Sequence, residues 1–386
     1  MSHTDATLHH DEPDHTSTGK DHFEVLDGLR GSAAILVVSF HILSMATAID
    51  SPLNVLHHAY LAVDFFFALS GFVIAYAYDD RRQALTAGQF LLIRIVRLHP
   101  LVILGMLLGL LSFVFDPFAG DTQHTTLQTL LVALAAALLL IPSTSLPNRW
   151  TDTHSFNGPA WSLFQEYIGN IAYALLLRHV GTRFLAFLAV CAGAALIIVA
   201  YGQDTLNRGW GWDDMGTGTV RMAFSFITGL WLYRVRDRLP KLDLNWVVLT
   251  LVLAAVFMVP NQPAVGHLKL NGLYDAAIVV LVFPWVVVAG SYARPHGAML
   301  DLCKLAGRIS YPLYITHYPV LYIFLNYVTF AKPPLGVTLS FGLCLLPALL
   351  ISAWLFVKFW DEPIRTALRR RLNPPGVEAS AMPIQR

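Results

Sequence analysis

One arginine and one histidine lie eleven residues apart where the first long apolar segment of the chain begins. Arg30 lies in the segment Leu26-Asp27-Gly28-Leu29-Arg30-Gly31, and His41 lies within the apolar run that follows. Eleven residues of α-helix return to nearly the same face and rise about 16 Å, roughly half of a ~30 Å hydrocarbon core. The spacing predicts Arg30 at one membrane surface and His41 near the bilayer midplane. Because ionisable groups at that depth are costly and a histidine readily accepts a proton, we expect the chemistry at this pair.

Two carboxylates also fall inside apolar segments. Asp64 precedes three phenylalanines and needs a partner, so it either caps a helix, pairs with a loop residue or belongs to the site. Glu166 shares a helix face with Ser162, four residues earlier, and Trp161 suits the interface between membrane and water. Stability alone hardly explains a glutamate one or two turns into a membrane helix, so we interpret Glu166 as a site residue.

Two further clusters have an open interpretation. Arg94 and Arg97 share one helix face, where they either anchor the helix at the membrane surface or clamp phosphate groups. His317 shares a face with Tyr314 and Ser310, and it either bonds between helices or contacts substrate.

The composition indicates an integral membrane protein. Of 386 residues, 55% are hydrophobic and only 13% are charged, against about 25% charged in soluble domains. Net charge is +1 and the basic residues form short clusters, which argues against nucleic-acid binding. The cysteines, Cys191, Cys303 and Cys344, show no ligand spacing, so we expect neither a disulfide framework nor a metal site.

Ten apolar segments are long enough to cross a membrane, and an eleventh, near 127–141, is shorter. The ten lie near 32–49, 60–78, 91–115, 161–177, 184–201, 217–233, 244–260, 273–290, 310–329 and 336–357. If 127–141 does not cross, the main basic clusters share the cytoplasmic side, as the positive-inside rule requires. Those clusters contain Arg81, Arg82, Arg178, Arg183, Arg234, Arg236, Arg238, Lys241, Arg294, Lys304, Arg308, Lys358, Arg365 and Arg369 to Arg371.

These patterns predict an all-α polytopic membrane bundle of about ten transmembrane helices with both termini cytoplasmic. The segment 127–141 is then re-entrant, interfacial or packed against the bundle. We predict a disordered tail over residues 1–22, whose five histidines could alternatively bind metal, a membrane domain over 23–365, and a second tail over 366–386. The outer loops 116–123, 142–159 and 202–218 suit either a cap over an outward-facing cavity or ordinary connections.

Five motifs in order resemble the acyltransferase-3 family of membrane acyltransferases. The resemblance extends from about residue 23 to 365 and rests on these segments: Leu26 to Gly31 with His41, Val63 to Phe67 with Ser70-Gly71-Phe72, Arg94 to Arg97, Trp161-Ser162-Leu163 with Glu166, and Ser310-Tyr311 with His317. Many members have an acidic residue after the position of Glu166, where this chain has Tyr167. A mechanism that needs two adjacent carboxylates is therefore in doubt.

The resemblance implies an O-acyltransferase of the bacterial inner (plasma) membrane, of the kind that modifies polysaccharides. The donor is acetyl-CoA or another short acyl-CoA, and the acceptor is a glycan, a lipid-linked sugar or a small hydroxylated molecule. Arg30 and His41 match the essential arginine and histidine, and Arg94 and Arg97 match the arginines associated with the donor. We expect catalytic roles for His41, Arg30, Glu166 and Asp64, donor binding by Arg94, Arg97 and Arg30, and substrate binding by His317, Trp161, Ser162 and Tyr314.

Within this hypothesis, His41 is the general base for the acceptor hydroxyl, and an acyl-histidine intermediate is a variant. A proton-coupled transporter that uses His41, Asp64, Glu166 and His317 as a proton relay is the competing interpretation. Beyond donor, acceptor and membrane lipid, the sequence implies no partner and leaves the oligomeric state open.

Overall fold

The computed structural model describes residues 22–47, 51–81, 84–119 and 125–372, and this part of the chain is helical and without β-strands. The thirteen α-helices of these residues are α1 (Glu24–Thr47), α2 (Ala62–Tyr78), α3 (Ala87–Val114), α4 (Leu127–Leu138), α5 (Ala160–Leu175), α6 (Thr182–Gln203), α7 (Met215–Val235), α8 (Trp246–Phe257), α9 (Leu270–Ala277), α10 (Phe283–Tyr292), α11 (Ala298–Asn326), α12 (Leu335–Phe356) and α13 (Glu362–Leu372). Short π-helical segments join α9 to α10 and α12 to α13.

Six helical stretches of the described residues are long and apolar enough to cross a membrane. They are Glu24–Thr47, Ala59–Tyr78, Ala87–Val114, Thr182–Gln203, Leu270–Tyr292 and Leu335–Leu372. The four other predicted spans coincide with α5, α7, α8 and α11. Of these, α5 and α8 have only 16 and 12 residues, and α7 and α11 contain charged residues. The all-helical membrane fold is confirmed, whereas the count of ten spans and the cytoplasmic termini stay predictions.

Helix α4 is too short to cross the hydrocarbon core. Its 12 residues rise about 18 Å, and its last turn lies against the middle of α3, where His99 Nε2 donates to Leu138 O at 2.9 Å. The chain then turns back through Leu140, whose φ of 56° is left-handed. Further along, Thr153 N donates to Trp210 O at 3.1 Å, beside the start of α7. Of the three arrangements predicted for a non-crossing 127–141, these contacts favour packing against the bundle.

Glycines permit the closest helix contacts. A Cβ added at Gly71 of α2 would lie 2.1 Å from Phe226 O of α7, and one at Gly229 of α7 would lie 2.1 Å from Ala68 O of α2. A Cβ at Gly31 of α1 would likewise lie 2.5 Å from backbone atoms of α11. Small residues let backbones approach in this way, and they fix α2 against α7 and α1 against α11.

The starts of α1, α3 and α11 and the ends of α2, α7 and α12 share one end of the bundle, which we call the basic end. Arg234 Nε of α7 lies 2.6 Å from Asp79 Oδ2 after α2, and Arg308 Nη2 of α11 lies 2.5 Å from Glu362 Oε1 of α13. Helix α13 continues across the predicted boundary at 365/366 to Leu372, and the division into a membrane domain and two tails stays a prediction. Residues 1–21 and 373–386 of the predicted tails, and Arg82, lie outside the described residues.

Candidate active site

Two histidines from different helices meet inside the bundle. The rings of His41 on α1 and His317 on α11 are stacked, with centroids 5.5 Å apart and an interplanar angle of 25°. The ring of Tyr318 lies edge-on to both, at 5.1 Å from His41 and 5.6 Å from His317. His41 is partly exposed and His317 is buried. Sequence reasoning placed each histidine on its own helix but did not predict this pairing.

Backbone hydrogen bonds fix the tautomer of His317. Its Nδ1 lies 3.1 Å from Leu313 O and 2.8 Å from Tyr314 O. Since carbonyl oxygens only accept, Nδ1 carries the hydrogen and donates it. Nε2 then presents a lone pair, and this atom is buried without a hydrogen-bond partner among the described residues. Within the same residues neither ring nitrogen of His41 makes a hydrogen bond.

A hydroxyl pair adjoins the histidines. The Tyr314 hydroxyl lies 2.8 Å from Ser162 Oγ, and the carbonyl of Pro159 accepts from this pair, at 2.8 Å from Ser162 Oγ. The ring of Tyr314 lies 6.0 Å from His317. Three of the predicted substrate-binding residues therefore meet beside His41.

A backbone carbonyl that lacks its helical partner because of a proline explains the role of Asn157, which the sequence did not reveal. Pro319 has no N–H, so the carbonyl of Ile315 loses its partner within α11. Asn157 Nδ2 donates to that oxygen at 2.6 Å, and Gly105 leaves it room, because a Cβ there would lie 2.9 Å from Asn157 Nδ2. Asn157 thus attaches the loop before α5 to the helix that contains His317.

Glu166 of α5 and Arg94 of α3 form an ion pair. Arg94 Nη2 donates to Glu166 Oε1 at 2.8 Å, and Arg94 Nε donates to Asn170 Oδ1 at 3.1 Å. Ser70 Oγ donates to the same glutamate oxygen at 2.9 Å. The side chain of Arg94 is 6% exposed and that of Glu166 is 18% exposed. Arg94, expected to bind the donor, therefore also neutralises Glu166.

Asp64 has a partner that the sequence did not identify. Arg221 of α7 approaches both its oxygens, with Nη2 2.6 Å from Oδ2 and Nε 3.2 Å from Oδ1, and both side chains are buried. The same guanidinium donates to the carbonyls of Tyr60 and Arg208 and lies 5.3 Å from the ring of Trp161. Of the three interpretations left open for Asp64, these contacts favour a structural pair, with a partner on helix α7 and not in a loop.

Tyr167 contacts α3. It stands at the position after Glu166, where many members of the resembled family have a second acidic residue. Its hydroxyl lies 3.2 Å from His99 Nδ1. Because His99 Nε2 carries the hydrogen donated to Leu138 O, Nδ1 accepts from Tyr167. Tyr167 therefore helps to hold the end of α4.

Residues 142–159, the cap loop, cover the end of the site opposite the basic end. Tyr322 donates to Asp152 Oδ2 at 2.7 Å, and the guanidinium of Arg149 lies 3.9 Å from the ring of Tyr322, which in turn packs against Tyr318. Burial raises the pKa of Asp152 to about 7, against the opposing effects of the Tyr322 hydrogen bond and the Arg149 charge. These contacts hold the loop against α11, and an outward-facing cavity beneath it stays a prediction.

Arg30 lies at the basic end, on the same continuous helix as His41. Its Nη1 lies 2.9 Å from Asp27 Oδ1. The guanidinium of Arg97 lies within electrostatic range of Arg30 and Arg94. Arg30 and His41 thus do not touch, and the three arginines expected at the donor site lie near one another. A cavity of about 430 Å³ between α1, α8, α11 and α12 is lined by apolar residues and by none of the predicted site residues.

The comparison with known sequences decides the family. The model of an acyltransferase domain matches residues 23–357, nearly the whole chain.

The chain belongs to the acyltransferase-3 family.

Two curated proteins are similar to parts of this acyltransferase-3 protein. Protein 2 in the picA locus of Rhizobium radiobacter is 36% identical over 198 residues, which are 47% of this chain and 96% of that protein. Acyltransferase MdmB of Streptomyces mycarofaciens is 29% identical over 188 residues, 46% of this chain and 45% of that protein. No solved structure matches the chain. The family and the helices together establish a membrane acyltransferase at the level of the family.

Proposed function

We propose that this protein transfers an acyl group from a cytoplasmic acyl-CoA to a hydroxyl group of an acceptor. The acyl group that we propose first is acetyl. The acceptor is an extracytoplasmic or lipid-linked glycan or a small hydroxylated molecule. The observation that supports this most is the pair of imidazoles between an arginine-lined end and the cap loop. A bacterial inner membrane is the setting in which donor and acceptor lie on opposite sides.

The histidine pair has the chemistry that the reaction needs. His41 accepts the proton of the acceptor hydroxyl as its oxygen attacks the thioester carbonyl. The C–S bond then breaks, and the thiolate of coenzyme A takes the proton back from His41. General base catalysis of this kind contributes about 10²–10⁴-fold.

His317 supports His41 in this mechanism. Its Nδ1 hydrogen is held by two carbonyls, so only Nε2 can accept a hydrogen bond. That lone pair, on the ring stacked against His41, accepts a hydrogen bond from a second hydroxyl of the acceptor, while His41 takes the proton of the reacting hydroxyl. Tyr314 and Ser162 extend the polar surface towards Trp161, where the rest of the acceptor binds. Arg94 neutralises Glu166, and Arg221 neutralises Asp64. We therefore assign these two carboxylates, which were predicted to be catalytic, the role of positioning neighbouring residues.

The decisive experiment measures release of coenzyme A by the purified protein in lipid nanodiscs, with acetyl-CoA and a panel of candidate acceptors. We expect acceptor-dependent release by the natural protein, and a loss of about 10²-fold or more for His41→Ala in a protein that still inserts and folds. His317→Ala should reduce release, while His317→Asn should retain part of the acceptor affinity. Equal turnover by a well-folded His41→Ala protein refutes the general-base role.

The arginines of the donor site are tested by the same assay. Arg97→Ala and Arg94→Ala should raise the apparent Michaelis constant for the acyl-CoA more than that for the acceptor. An unchanged dependence on the donor returns both arginines to the interpretation of membrane anchoring. Transport of the acceptor without cleavage of any thioester would favour the transporter interpretation.

A further inference from the structure

Helix α13 brings two more arginines to the basic end. It packs against α3, and Arg365 and Arg369, four residues apart, share one face of it. Both are partly buried, whereas Arg370 and Arg371 on the same helix are exposed. Arg365 lies within electrostatic range of Arg97 and also of Arg369. The Tyr78 hydroxyl at the end of α2 is close to both Arg97 and Arg369, which places α13 beside the start of α3.

The neighbouring carboxylates balance these arginines only in part. Asp27 bonds to Arg30, and Asp361 Oδ2 accepts from Arg365 Nη1 at 2.8 Å, while Asp361 Oδ1 is buried without a hydrogen-bond partner among the described residues. Glu362, the other acid of this turn, pairs with Arg308. Among the described residues Arg365 Nε is buried without a hydrogen-bond partner, and Arg369 forms no ion pair. The face of α13 that points to α3 therefore has donors and positive charge in excess.

Such an arrangement is unfavourable without an anion. Like charges that lie close to one another repel, and the repulsion grows where surrounding protein lowers the dielectric constant. Guanidinium groups bind phosphate oxygens through two parallel hydrogen bonds, so several of them around one point suit a ligand with more than one phosphate.

We propose that Arg365 and Arg369 of α13 bind the phosphate groups of the acyl-CoA donor, and that they complete a site begun by Arg30 and Arg97 on α1 and α3. The inference rests on the proposed function. Coenzyme A has about four negative charges on its diphosphate and 3′-phosphate, which suits such a cluster of arginines. From Arg30 the donor would extend along α1 over the ~16 Å rise to His41, with its thioester last.

Binding of acetyl-CoA to the full chain in nanodiscs of neutral lipid, measured by calorimetry without acceptor, tests this assignment. Arg365→Gln and Arg369→Gln should each raise the Kd about tenfold or more, since a hydrogen bond to a charged group is lost. Arg370→Gln and Arg371→Gln, on the same helix but exposed, are the matched controls and should change the Kd less than about twofold. Arg369→Lys should lie between the natural protein and Arg369→Gln.

A second ligand identifies the group that is bound. Acetyl-3′-dephospho-CoA should bind the natural protein more weakly than acetyl-CoA if an arginine of α13 contacts the 3′-phosphate, and the variants should then discriminate less between the two. If the diphosphate is the contact, the two donors should lose affinity equally in the variants. Either result supports the proposal.

The outcomes separate this inference from the proposed function. If the natural protein binds no acyl-CoA, the proposed function fails and this site fails with it. If it binds acyl-CoA and the Arg365 and Arg369 variants bind equally well, only the site on α13 is overturned. A third outcome is that these variants retain less anionic lipid but have an unchanged Kd for acetyl-CoA in neutral nanodiscs. This result would assign the arginines to lipid headgroups and would also overturn the site on α13.

If the variants do not fold, acetyl-CoA binding by the natural protein tests the proposal. Binding should then weaken steeply between about 50 and about 300 mM salt, because charged contacts at a protein surface are screened. It should also be inhibited by inorganic diphosphate. A Kd that is insensitive to both overturns the proposal.

Discussion

The buried pair of Asp64 and Arg221 gives the sharpest test of which charges in this bundle are structural. Arg221→Ala removes a guanidinium that makes three contacts with Asp64 and donates to the carbonyls of Tyr60 and Arg208. Asp64→Ala removes the carboxylate but leaves both carbonyls with their donor. The two substitutions should therefore both destabilise the protein, and by unequal amounts.

The magnitudes follow from burial. Removing one partner of a buried ion pair costs about 3–5 kcal/mol, because the remaining charge lies uncompensated in a low dielectric. Asp64→Ala should lie within that range. Arg221→Ala should exceed it, since each carbonyl left without a donor adds about 1–3 kcal/mol. The double variant should cost less than the sum of the two, by about 2 kcal/mol or more, because neither charge is then unpaired.

The assay is thermal unfolding of detergent-purified protein, with acetyl-CoA binding measured on the same samples. Arg208→Ala is the control: its side chain is 49% exposed and its backbone carbonyl remains, so it should change stability by less than about 1 kcal/mol. Additive effects of the two single variants would refute the reasoning, as would an Asp64→Ala protein of natural stability. A stable Asp64→Ala protein that binds donor but does not turn over would instead restore the catalytic role predicted for Asp64.

Three further predictions concern other parts of the structure. Gly71→Ala, which forces a Cβ against Phe226 O at 2.1 Å, should destabilise by about 1–3 kcal/mol or prevent folding, whereas Gly88→Ala, with no atom within 4 Å, should be neutral in the same thermal assay. The pKa of Asp152 is raised to about 7 in the folded protein. The protonated carboxyl therefore makes its full contribution to stability below its ordinary pKa, and that contribution is lost as the pH rises towards 7. The unfolding midpoint of the natural protein relative to Asp152→Asn should therefore fall between about pH 4 and 7, and parallel curves would contradict this. Asn157→Ala should weaken the attachment of the cap loop to α11, seen as faster proteolysis of residues 142–159, and unchanged cleavage would contradict it.

The sequence was sufficient for features that one helix determines. The eleven-residue spacing correctly placed Arg30 and His41 on one helix, and the spacing of Tyr314 and His317 placed both on one face of another. The brevity of 127–141, together with the distribution of basic residues, predicted a segment that does not cross. Each of these inferences needs only helical geometry and the thickness of a bilayer.

Contacts between helices could not be read from the chain. Nothing in the spacing shows that α7 supplies Arg221 to Asp64, because the sequence separation of 157 residues carries no register. The meeting of His41 with His317 is of the same kind. Some local signals were available: Pro319 within an apolar helix predicts a free carbonyl at Ile315, although not that Asn157 would satisfy it.

Some buried polar groups of the bundle have all their hydrogen-bond partners and others do not, and this difference bears on function. An ion pair that holds helices together has its hydrogen bonds completed within the bundle, as Asp64 has with Arg221 and as Glu166 has with Arg94 and Ser70. The ring of His317, stacked against that of His41, is different, because its Nε2 is buried without a partner among the described residues. An unpaired polar atom in such surroundings costs stability. The bundle completes the ion pairs of Asp64 and Glu166 and leaves this lone pair open beside a second imidazole, which is the arrangement expected where a hydroxylated substrate supplies the missing hydrogen bond.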